Sequence, residues 1–161
     1  MRGKWLAGVA LVAAVLAVPA APAAADDAAL WNAYSADNPE IDAAGRAWTR
    51  ALEQWERSRG RRWRPVVKTS LRLDQLAAGV ESQVAAQQPS SSTGEKVKQL
   101  ALLELEEIRR GYRLTAAAAR DAARGRRRAI SEGKRADRAF ARAVRYGRRV
   151  ERAFKALGFS A

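Results

Sequence analysis

The stretch TAAAARDAARGRRRAISEGKRADRAF, Thr115 to Phe140, decides whether the C-terminal half of this chain is one long rod or two helices folded back on each other. Upstream of it, Val97, Ala101, Leu105, Ile108, Tyr112, Ala116, Ala119 and Ala123 recur every three or four residues, the stripe of an amphipathic helix. At about 100° per residue that stripe would continue through Ile130 to Gly133, Lys134 or Asp137. It restarts instead at Ala136, Phe140, Ala143, Gly147, Val150 and Phe154, about 120° out of phase. Gly125 and Gly133 bracket the slip and predict a turn or sharp kink between them. Without a break, a helix from Thr93 to Gly158 would be about 99 Å long.

Outward from this stretch the same period recurs. Asn38 is a good N-cap, Pro39 suits the first helical position, and Glu40 and Asp42 favour the positive end of a helix. Ile41, Ala44, Trp48, Leu52 and Trp55 then form one apolar stripe, and RSRGRRWRP ends that helix near Gly60. A third helix starts at Pro65 or at Ser70, because VVKTSL is β-branched enough for a short extended entry. Its stripe is Leu73, Leu76, Ala77, Val80 and Val84. Pro89 and SSSTG form a loop, with Ser92 and Glu95 spaced as a capping box for the next helix. A short helix is expected over Asp27 to Tyr34, and the last helix should stop at Gly158 with Phe159 set against Phe154. The expected fold class is all-α: an antiparallel helical bundle of about four main helices plus a short N-terminal helix.

Before the bundle comes MRGKWLAGVALVAAVLAVPAAPAAADD. Arg2 and Lys4, the apolar run Trp5 to Val18, and Ala23 and Ala25 before Asp26 make residues 1–25 read as a secretory signal peptide. The expected location is secreted, periplasmic or cell-envelope after cleavage near Ala25. Left uncleaved, Trp5 to Ala25 is long enough to anchor the chain in a membrane. Residues 26–161 then form a single helical domain. With no cysteine in the sequence, that domain relies on packing alone.

Charge divides the domain in two. Residues 26–88 hold nine Lys and Arg against nine Asp and Glu, a neutral half. Residues 89–161 hold nineteen against eight, a basic half that points to an anionic partner. On the last helix Arg135, Arg138, Arg142, Arg145, Arg149 and Arg152 lie along one flank, about 150° from the apolar stripe. These six are the candidate anion-binding residues. Planar guanidinium forks suit phosphates and carboxylates through paired hydrogen bonds. A second basic and aromatic patch is Arg61, Arg62, Trp63 and Arg64, in which Trp63 is the better candidate for an exposed contact and Trp55 for the core.

The chain has no histidine and no cysteine, so ordinary zinc, copper and thiol sites and histidine-based nucleophilic catalysis are excluded. No glycine-rich phosphate loop follows a strand. Glu104, Glu106 and Glu107 are spaced as surface glutamates rather than as a catalytic pair. The expectation is a non-enzymatic protein without cofactor or metal. Its expected partner is an anionic polymer or surface: an envelope polymer, lipid head groups or nucleic acid. The alternative is a structural subunit that assembles with itself or another protein through its apolar helix seams.

Overall fold

The computed structural model describes residues 25–159, and the stretch expected to be a signal peptide, with its expected cleavage site, lies almost wholly outside that range. Five helices follow in order: α1 (Ala25–Ser35), α2 (Pro39–Arg57), α3 (Trp63–Ala86), α4 (Ser92–Ala123) and α5 (Arg128–Ala156). No strand occurs among the described residues. Consecutive long helices pack side by side, with the α4–α5 pair the most extensive and the α3–α4 pair next. Trp48 with Ser70, Asp74 with Arg109, and Glu107 with Arg142 each sit at similar distances along the chain from the turn joining their two helices, as in antiparallel hairpins.

The rod is broken within the stretch that Gly125 and Gly133 bracket, at its N-terminal edge and not across the step from Ile130 to Ala136. α4 stops at Ala123, Gly125 takes φ +64°, and α5 begins at Arg128. That left-handed backbone is open to glycine at little steric cost. Gly133, the other bracketing glycine, instead lies buried inside α5, so the break is a tight turn at residues 124–127. At the far end, Gly158 has φ +90°, its N–H donates to the Lys155 carbonyl, and the Phe159 N–H donates to the Phe154 carbonyl at 3.0 Å. This is the Schellman pattern expected from the spacing, and the Phe154 and Phe159 rings meet edge to face at 6.1 Å.

One open alternative about a helix start is resolved in favour of the earlier start, and one expected cap is corrected. VVKTSL is helical throughout: α3 begins at Trp63, and Val66 and Val67 are buried against Ala51 of α2 and Ala116 and Ala119 of α4. That burial outweighs the weak β-preference of the sequence. The cap of α4 is Ser91, not Ser92; the Ser91 hydroxyl accepts from the Gly94 N–H at 2.8 Å. α2 starts as expected, with the Asn38 side chain accepting from the N–H groups of Glu40 and Ile41.

The interior has three levels. Near the α2–α3 and α4–α5 turns, Val66, Val67, Ala116 and Ala119 pack with Trp55 and Trp63. At mid-height Trp48, Tyr112 and Phe140 meet edge to face at 5.3 to 6.0 Å, linking α2, α4 and α5. The Trp48 indole donates to the buried Ser70 hydroxyl at 2.9 Å, which satisfies the polar edge of this cluster. At the opposite end Leu30, Val84, Val97, Val150 and Phe154 form the largest apolar cluster, closed by Trp31 and Phe159. α1 is held there by its buried Asp27, which accepts from the Ser91 hydroxyl at 2.6 Å and from the Ser90 N–H at 3.2 Å.

Alanine and glycine on α4 and α5 let these two helices approach closely. The Phe140 ring lies over Gly111, where an added Cβ would meet it at 2.5 Å. A Cβ on Gly147 would likewise meet the Glu104 carboxyl at 2.6 Å.

Candidate anion-binding surface

The apolar side of α5 is consumed by the bundle: Ala136, Ala139, Ala143, Val150 and Phe154 are all buried. With that seam fixed against α4, helical geometry turns the arginine flank outward. Arg135, Arg138, Arg145, Arg149 and Arg152 are exposed, and none of them pairs with a carboxylate among the described residues. Two rows result, Arg138–Arg145–Arg152 and Arg135–Arg142–Arg149, each stepping by seven residues, or about 10 Å.

Arg142 differs from the other five. Its guanidinium makes a two-pronged bond to Glu107 of α4, Nε and a terminal nitrogen each donating at 2.8 Å. Those bonds hold the Glu107 carboxyl below its usual pKa and raise that of Arg142. Arg142 therefore clamps α5 to α4 and is not free for a ligand while that fork is closed.

The glutamates read as surface groups part company. Glu106 is exposed, Glu107 is in the fork, and Glu104 is partly buried where α1, α4 and α5 meet. The Tyr34 hydroxyl donates to Glu104 at 2.6 Å. Burial pushes the Glu104 carboxyl up to about 7, against the opposing influence of that hydrogen bond. Tyr34 is itself pushed well above its ordinary value, first by burial and then by Glu104. Nothing in the residue pattern of α4 marks Glu104; only Tyr34 and Gly147 on other helices do.

The second basic patch lies on the turn between α2 and α3. Arg61, Arg62 and Arg64 are exposed, while Trp63 is half-buried beside the upper core cluster with the Arg64 guanidinium 5.6 Å from its ring centre. Trp63 is thus partly a core residue rather than a free contact. Trp55 is half-buried too, and its indole donates to the Gly60 carbonyl at 3.1 Å.

Antiparallel topology brings this turn and the α4–α5 turn to the same end of the bundle. Arg124, Arg126, Arg127 and Arg128 join it there. Asp121, buried at the end of α4, pairs with Arg128 and, at 3.2 Å, with Arg126, which in that order depress its pKa. The two helices that begin at this end, α3 and α5, have no side-chain cap and no acidic residue in their first turns. Arginines stand where the helix dipole favours carboxylates, so the gathering of charge costs stability.

Comparison with known proteins gives no match to a family model, to a curated protein or to a solved structure. Among the described residues, no cluster of Asp and Glu could hold a metal ion, and no helix is long and apolar enough to cross a membrane.

Proposed function

We propose that this is an exported, non-enzymatic helical protein that binds an anionic polymer through the arginine flank of α5. The observation that carries the reading is that five arginines on one continuous helix are exposed without a carboxylate partner among the described residues, while the apolar side of the same helix is buried. Like charges on one flank repel, and an anionic ligand offsets that cost. From Arg138 to Arg152 the flank is about 21 Å long and narrow, which suits a linear polymer better than a plane. Wall or capsule polymers and single-stranded nucleic acid share that chemistry. Because the seams lie inside the bundle, the alternative of assembly through them has less support.

Polyphosphate of defined length is a suitable probe. Four phosphate contacts, at about 0.7 to 0.9 each, give a log–log salt slope of about 3 to 4. Changing Arg138, Arg145, Arg149 and Arg152 together to glutamine should abolish most of the binding and flatten that slope. Helicity should persist, since glutamine is a good helix former and these positions face solvent. Equal affinity of variant and parent would leave the flank a solvated surface.

A further inference from the structure

We infer that the arginine-rich end of the bundle is a second binding surface, distinct from the α5 flank, and that it docks on a bilayer rich in anionic phospholipid. Sequence separates its two parts by about sixty residues, and the antiparallel fold unites them. The α2–α3 turn contributes Arg61, Arg62 and Arg64, and the α4–α5 turn contributes Arg124 and Arg127, all exposed and without a carboxylate partner among the described residues. The carboxylates nearby are mostly engaged: Glu53 with Arg57, Asp121 with Arg126 and Arg128, and Glu132 facing Arg128 at 3.9 Å. Glu56 is the exposed exception.

What selects a bilayer over a polymer is Ile130. It is 70% exposed in the first turn of α5, the most exposed large apolar side chain among the described residues. By helical spacing its neighbours are Arg127 and Lys134. A hydrated polymer offers nothing to an isoleucine held out among cations. A bilayer offers both terms at once: anionic head groups for the guanidinium groups and acyl chain for the apolar tip. Along the α5 flank no comparable side chain projects, since its apolar residues are spent in the core apart from the half-exposed Val144 on the far side of the helix. Charge with an apolar tip at the end of the bundle, and charge alone along its side, are two different recognition surfaces.

The test is co-sedimentation of the chain from Asp26 onward, which retains every core residue described, with vesicles of phosphatidylglycerol and phosphatidylcholine and with phosphatidylcholine alone. The parent should partition onto the anionic vesicles and not the neutral ones. Changing Arg61, Arg62, Arg124 and Arg127 together to glutamine should lower that partition several-hundred-fold, at about fivefold per cation. Ile130→Ser should lower it about tenfold and leave folding unaffected, because the side chain is outside the core. Circular dichroism of each variant checks that the bundle is intact. Undiminished partition of the quadruple variant overturns the inference, and so does loss by that variant with Ile130→Ser unchanged, which would reduce the surface to charge alone. Polyphosphate binding is measured in parallel: it should survive in the quadruple variant, so failure of one surface is read separately from failure of the other.

Discussion

The Asp27 carboxylate and the Ser91 hydroxyl, sixty-four residues apart in the chain, meet at 2.6 Å. Ser91 in turn accepts from the Gly94 N–H, so one carboxylate on α1 fixes the cap that starts α4. Asp27 is 3% exposed, and its loss would remove the charged acceptor of the Ser90 N–H and the Ser91 hydroxyl. Asp27→Ala should therefore cost about 2–3 kcal/mol. A urea midpoint lowered by that amount, against little change for the exposed Asp26→Ala, checks the claim; equal midpoints would detach α1 from the stability of the bundle.

Stability should fall as pH rises toward neutrality. The Glu104 carboxyl is raised in the folded state to about 7 from an ordinary 4.5, mainly by burial. The native state thus holds a proton that the unfolded state has released. Its contribution is complete below about pH 4.5 and is lost as pH rises through about 7, a change on the order of 3 kcal/mol. From α1, Tyr34 donates to Glu104, and Glu151 of α5 adds a further negative charge that is felt by Tyr34. Glu104→Gln should flatten the pH profile between those limits. Tyr34→Phe removes the bond that favours the ionised form, so it should move the fall to higher pH.

Two glycine substitutions should act in opposite directions. Gly111→Ala drives a methyl into the Phe140 ring at 2.5 Å and should destabilise by about 1–3 kcal/mol despite the better helix propensity of alanine. Gly79 is exposed in the middle of α3 with nothing near its Cβ direction, so Gly79→Ala should stabilise by about 0.5–1 kcal/mol. Thermal melts of the two variants decide it, and a Gly111→Ala variant as stable as the parent would contradict the close α4–α5 approach.

Opening the fork between Glu107 and Arg142 should strengthen polyanion binding. Glu107→Gln removes one carboxylate beside the flank and frees Arg142 to join it. Polyphosphate affinity should rise, with a salt slope steeper by about 0.7 to 0.9. An unchanged slope would place Arg142 outside the binding face even when released.

The helices were legible because burial imposes a period, and that period survives in Ile41 to Trp55, Leu73 to Val84, Val97 to Ala119 and Ala136 to Phe154. The existence of a break in the C-terminal half was legible from the phase slip together with Gly125, while its place at residues 124–127 was not. Three serines in a row hid which of them caps α4, since the choice depends on Asp27 reaching across from α1. Arg142 and Arg149 look alike in sequence; only the position of α4 assigns Glu107 to the first. The same holds for Glu104, whose environment is built by Tyr34 and Gly147 from two other helices. The arginine-rich end of the bundle showed in sequence only as the Arg61–Arg64 patch, and the topology was required to bring Arg124 and Arg127 beside it.

The tight turn at residues 124–127 also bears on the order of folding. It joins the two longest helices, which form the most extensive helix pair of the bundle, so those contacts require closure of a very short loop. Short loops close in well under a microsecond, whereas α1 must find Ser91 across sixty-four residues of chain. The α4–α5 hairpin should thus form the nucleus. Truncations at Ala119 and Ala143 should slow folding, and changes at Asp27 should speed unfolding instead. A chain refolding from the unfolded state would then have its arginine flank in place before its first helix has docked.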